Sequence, residues 1–142
     1  MALTENSINY LHNFLENKYK VKQVGETFSL ICEALILSDF QDDNIEKNKP
    51  MSDIILLSNT IKSSENLKNK FLEIAEMMDF DVTSLRKNCL IINKTFYFFY
   101  SITQDGILNG RKNIICFLDN SIPSYKCFDI EKQNPHIDLR TY

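Results

Sequence analysis

The sequence predicts an α+β domain in which two main helices pack on a mostly antiparallel sheet, with a β-meander in the C-terminal half. Three observations lead there. The chain has 142 residues, of which 44% are hydrophobic and 25% charged. That is enough apolar material for one core without disulfides or metal. Two segments carry apolar residues at helical spacing. Several shorter runs rich in Ile, Val, Phe and Tyr are separated by turn residues, as strands are. Residues 1–142 are read as one unit, with a short polar tail over about 131–142.

The first helix is expected over residues 4–19, where Ile8, Leu11 and Leu15 share a stripe and Thr4 can cap the start. Residues 28–37 (Phe-Ser-Leu-Ile-Cys-Glu-Ala-Leu-Ile-Leu) read as a buried strand or a buried helix. Alternation at Phe28, Leu30 and Cys32 favours a strand, with a bulge near Glu33-Ala34 where the phase slips to Leu35 and Leu37. Residues 40–53 look like an exposed loop closed by Pro50. Residues 54–61 are a strand. Ser63 or Ser64 then caps a helix to about Phe80, with Leu67, Phe71, Ile74, Ala75 and Met78 on one face.

The remainder reads as β. Residues 89–92 and 95–101 form a hairpin through Asn93-Lys94. Asn109-Gly110 is the strongest turn signal and would lay 95–108 beside 111–118. A last hairpin pairs 113–118 with 125–130, setting Cys116 opposite Cys127.

Composition excludes several functions. Three Gly in the whole chain leave little from which to build a phosphate-cradling loop, and the two His, His12 and His136, lie near opposite ends; Cys127, which a dyad with His136 would use, reads as core packing. The four cysteines are scattered among apolar neighbours and show no metal-ligand spacing. No catalytic residue, metal site or cofactor is therefore expected. The N-terminus carries no basic-then-apolar leader, and no run is long enough to cross a membrane, so a cytoplasmic protein is expected. The bias to Asn, Ile and Lys fits an AT-rich genome, which places that cytoplasm in a bacterium, or in the host cell of a phage or virus.

Charge is the first oddity. Residues 26–53 hold seven acids against two lysines, a local −5, although the chain as a whole is only −3. Asp39, Asp42, Asp43 and Glu46 fall within eight positions. Such a patch steers a basic protein partner. The second oddity is the run Phe96-Tyr97-Phe98-Phe99-Tyr100. In a strand its side chains alternate, so one face packs on a helix and the other is covered or offered to a partner. Tyr97 and Phe99 are taken as that partner-facing pair. With few basic residues nearby, direct nucleic-acid binding is not expected.

The expected function is therefore non-enzymatic: stoichiometric binding of another protein with a basic surface, as an inhibitor of immunity or anti-defence type against a nucleic-acid-processing enzyme. A homodimer is compatible with the same surfaces. A second reading uses the Asp39–Glu46 acids for a metal-dependent nuclease, since hard cations want clustered carboxylates. A third is a secretion-effector chaperone. The order helix, strands, helix, strands over about 4–100 is similar in layout to the type III secretion chaperones. Those end in a packed helix, whereas residues 113–130 read here as strands.

Overall fold

The structure is a computed structural model that describes residues 26–43, 52–104, 106–108, 111 and 113–141. In chain order these form α1 (Glu26–Asp43), β1 (Asp53–Ser58), α2 (Ile61–Met77), β2 (Val82–Arg86), β3 (Cys89–Ile92), β4 (Thr95–Ser101), β5 (Ile114–Leu118), α3 (Ser124–Gln133) and β6 (Asp138–Thr141). The class is α+β, as expected. The helix expected over 4–19 lies outside the described residues.

The six strands make one mixed sheet in the order β2-β3-β4-β1-β5-β6. The meander is β2-β3-β4, whose pairs are antiparallel. From β4 across β1 and β5 to β6 every pair is parallel.

The largest correction concerns residues 28–37. They are helix and not a bulged strand. α1 is buried nearly all round: Leu30, Ile31, Ala34 and Leu35 are within 2% of full burial, and Phe28, Cys32 and Ile36 are close to it. A helix with only a narrow polar stripe, here Ser29 and Glu33, offers little polar phase from which its period can be read. Length is the better arbiter, because 18 residues exceed an ordinary strand. α1 also extends to Asp43, so residues 40–43 belong to it and not to a loop.

β1 sits at the centre of the sheet. Every residue from Ile54 to Ser58 is buried, the pattern of a parallel strand covered on both faces. Ile54 and Leu56 face α1 and α2, joining Tyr97, Phe99, Phe117, Leu90 and Ile92 in one core. Ile55 and Leu57 face the other way, with Ile114, Cys116 and Leu118, and are covered by Cys127 and Ile130 of α3.

Thr60, not Ser63 or Ser64, caps α2. Its Oγ1 accepts from Ser63 N at 3.0 Å, and Ser63 Oγ accepts from Thr60 N at 2.9 Å. This reciprocal pair starts the helix at Ile61. The helix stops at Met77, and Asp79 takes a positive φ of 58° at its exit. The predicted stripe holds: Leu67, Phe71, Ile74 and Ala75 are buried.

The Asn93-Lys94 turn is also as expected. Both residues have positive φ (48° and 66°), the signature of a type I′ turn whose twist suits a hairpin. The other two hairpins do not form. β4 and β5 are separated by β1, so 95–108 does not lie beside 111–118; Asn109 and Gly110 themselves lie outside the described residues. Residues 125–130 are helical, in α3. Cys127 and Ile130, three apart, face the sheet there, so Cys116 and Cys127 meet as sheet and helix and not as cross-strand partners. The expected polar tail completes α3 and then forms the edge strand β6.

Arg140 fastens that edge. Its guanidinium donates to Glu33 Oε1 of α1 at 2.6 Å and to Asp138 Oδ2 at 3.1 Å, and lies 5.8 Å from the Phe117 ring centroid. Arg140 and Glu33 are about one-third exposed and Asp138 about half, so solvent screening keeps the gain modest. Arg140→Ala is expected to cost about 1 kcal/mol. Its clearest effect is faster hydrogen exchange at the Leu139 amide, with the β1 amides unchanged.

Candidate functional site

Two regions carry the residues singled out for partner binding. The first is the end of α1. Asp39, Asp42 and Asp43 occupy its last turns, at i, i+3 and i+4, and no basic residue accompanies them in the last turn. Glu46 lies outside the described residues. A helix C-terminus carries a partial negative charge, so each acid there is unfavourable by about 0.3–1 kcal/mol. Nearby, Asp53 opens β1, where burial raises its carboxyl pKa and Arg111 opposes that rise. Among the described residues, no group of three or more His, Cys, Asp or Glu is placed to hold a metal ion.

The second region is β4, and here the expectation is corrected. Tyr97 and Phe99 are buried, not partner-facing. Their rings lie 5.0 and 5.2 Å from that of Phe71 on α2. The Tyr97 hydroxyl donates to the Ala34 carbonyl, which gives this buried phenol a partner. The outward set is the other one. Phe96 is 38% exposed, and Phe98 and Tyr100 are half-buried. The three rings form a ladder, at 6.3 Å and 13° and then 6.0 Å and 10°. Arg111 lies over it, 5.0 Å from the Phe98 centroid and 5.7 Å from that of Tyr100. Alternation separates the two sets correctly. What assigns the faces is that α1 and α2 cover the Tyr97/Phe99 side, and a pattern of period two does not carry that information.

Sequence reasoning missed a third feature. Tyr125 and Phe128 on α3 are 66% and 63% exposed. They stand three apart, on the side opposite Cys127 and Ile130. Beside Phe128 opens a cavity of about 430 Å³ lined by Ile122, Cys127 and Glu131. Reading 125–130 as a strand put Tyr125 and Cys127 on one face and hid this pairing.

The four cysteines are free thiols. Burial pushes the pKa of Cys32 and of Cys116 up to about 12. Burial also raises Cys127, and Glu131 adds to that rise. Thiols held protonated in this way are poor nucleophiles. No helix among the described residues is long and apolar enough to cross a membrane. No family model matches the chain, and no curated protein matches it.

Proposed function

We propose that this protein acts by stoichiometric binding of another protein with a basic surface, as an inhibitor of immunity or anti-defence type directed at a nucleic-acid-processing enzyme. The observation that carries the reading is the acidic end of α1. Three aspartates occupy the last turns of a helix whose last turn contains no basic residue. That placement costs stability within the monomer, so its gain is sought outside it. A cationic partner offsets the clash of acids with the helix dipole. Enzymes that handle nucleic acid have basic grooves and provide such a partner.

Exposed aromatics support the same reading. Tyr125 and Phe128 are of the type that anchors protein interfaces, and the Phe96 ladder adds apolar surface. The test is co-purification from the source organism, repeated with Asp42→Lys/Asp43→Lys. The wild-type protein is expected to bring down a basic protein in a fixed ratio. The double variant is expected to lose it, with the free-chain Tm unchanged or raised, because the new lysines suit the helix pole. Retention of the same partner at the same affinity would remove the α1 end from the interface.

A further inference from the structure

β1 and β4 are parallel neighbours in register to their last residues, Ser58 and Ser101. Beyond that point the chain leaves them on opposite faces of the sheet. β1 leads into α2, whose Leu67 and Phe71 pack on the α1 side. β4 leads into Ile102, Ile107 and Leu108, which pack on the α3 side. In open sheets such a divergence leaves a crevice outside the carboxyl ends of the two strands, where small ligands bind. A cavity of about 200 Å³ lies there, between the start of α2, the β2–β3 turn and the end of β4. That is room for roughly seven water molecules. It is below the roughly 300 Å³ at which sites for larger ligands begin.

The cavity wall carries polar groups with hydrogen bonds left to make. Ser64 is 5% exposed and lines the cavity. A helical serine can bond back to the carbonyl four residues earlier. Here that carbonyl, Thr60 O, already accepts from Ser64 N and from Ser63 Oγ, each at 3.0 Å. The Ser64 hydroxyl takes no hydrogen bond among the described residues. Gln104 accepts from Ser101 N through Oε1 at 2.9 Å. That fixes its carboxamide and leaves both Nε2 protons to donate. Asn88, whose carbonyl accepts from Phe99 N at 2.9 Å, adds a second carboxamide to the wall, and Phe99 adds an apolar surface.

Lys68 stands four residues after Ser64, on the same side of α2. It is half-buried and gives one ammonium proton to the Lys87 carbonyl, which leaves two. Lys87 itself pairs with Glu65 at 3.6 Å on the exposed rim. Lys68 is thus the charge of this cavity that has no ion pair among the described residues. The positive pole of α2 adds to it, since no acid stands in the first turn of that helix.

We propose that this cavity binds a small monocarboxylate. Lys68 and Lys87 against Glu65 leave one net positive charge, which one carboxylate neutralises; a phosphate dianion exceeds it. The carboxylate accepts from Lys68, the Ser64 hydroxyl and Gln104 Nε2, and so fills the partner that the buried hydroxyl lacks. A short carbon body lies against Phe99, and a hydroxyl on it reaches Asn88. This site is independent of the protein-binding surface on α1.

The test is an amide chemical-shift titration of the full chain, at constant ionic strength, with L-lactate, its neutral amide and inorganic phosphate. Lactate is expected to give saturable shifts at Asn88, Phe99 and Gln104, and to bind at least about tenfold tighter than the other two. Lys68→Met keeps the packing of the stem and removes the charge; it should weaken lactate binding by at least about tenfold. Ser64→Ala should weaken it by about tenfold. Its ligand-free Tm should be unchanged or raised, since it removes no hydrogen bond, so this variant keeps the test open even where Lys68→Met fails to fold. The absence of saturable shifts with lactate would overturn the proposal. So would equal or tighter binding of the amide or of phosphate, or affinity unchanged in either folded variant.

Discussion

Phe71→Ala is expected to cost about 3–5 kcal/mol, a large part of a domain's usual stability of roughly 5–15 kcal/mol. Phe71 is fully buried at the point where α2 meets β4, and its ring touches those of Tyr97 and Phe99 at once. Truncation removes the area term and leaves a ring-sized void. The walls on one side belong to the sheet, where β4 is held by β1 and β3 along most of its length and cannot collapse inward. Two aromatic contacts are lost as well, one tilted and one edge-on, each worth about 0.5–1.5 kcal/mol beyond area. Urea unfolding followed by far-UV circular dichroism measures the change, which should appear as a lower midpoint at constant slope. Phe71→Leu, which keeps most of the volume, should lose clearly less. Equal losses for the two variants would show that packing volume at this site is not what stabilises it.

The second large effect is alkaline. In the unfolded chain the thiols of Cys32 and Cys116 titrate near 9.0, and in the folded protein burial holds each near 12. Below the lower value both states keep the proton, and the thiols contribute no pH dependence. Above it the unfolded chain releases protons that the native state retains, so stability falls as pH rises through this window. Inside the window the slope approaches about 1.4 kcal/mol per pH unit for each thiol. Urea midpoints at about pH 8 and about pH 11 should therefore differ sharply. Replacing both cysteines by alanine should flatten the alkaline limb while lowering stability near neutrality. A thiol reagent added to native protein near neutral pH should leave Cys32 and Cys116 unlabelled until denaturant is present. Rapid labelling of either in the native state would contradict their burial.

The sequence discloses elements whose faces differ in polarity, and conceals those whose faces do not. α2 is legible because Leu67, Phe71, Ile74 and Ala75 recur on one side while Lys68, Glu73 and Glu76 fall on the other. The β3-β4 hairpin is legible because Asn93 and Lys94 accept positive φ between two apolar runs. α1 has only a narrow polar stripe, at Ser29 and Glu33, to set its phase. α3 is short, and its outward side carries Tyr125 and Phe128, so apolar residues at both sheet-like and helix-like spacing surround Cys127. Sheet order was hidden for another reason. A strong local turn signal at Asn109-Gly110 competes with a long-range parallel pairing, and β1 takes the place beside β4 because it can bury both its faces there. For the candidate site, charge clustering was visible and its position on a helix end was not. That the Ser64 hydroxyl takes no bond among the described residues depends on what stands around it, and no single residue encodes that.

The central place of β1 also bears on how the chain is made. Its residues emerge early, yet one edge waits for Tyr97 and its neighbours and the other for Ile115 and its neighbours. At about 5–20 residues per second, the most apolar strand of the sheet spends seconds with both edges open during synthesis. Pairing across such separations is slow even once the chain is complete. A nascent chain halted between β4 and β5 holds one satisfied edge and one bare one, a template for pairing with another copy. Truncated chains lacking β5 should therefore accumulate as aggregates.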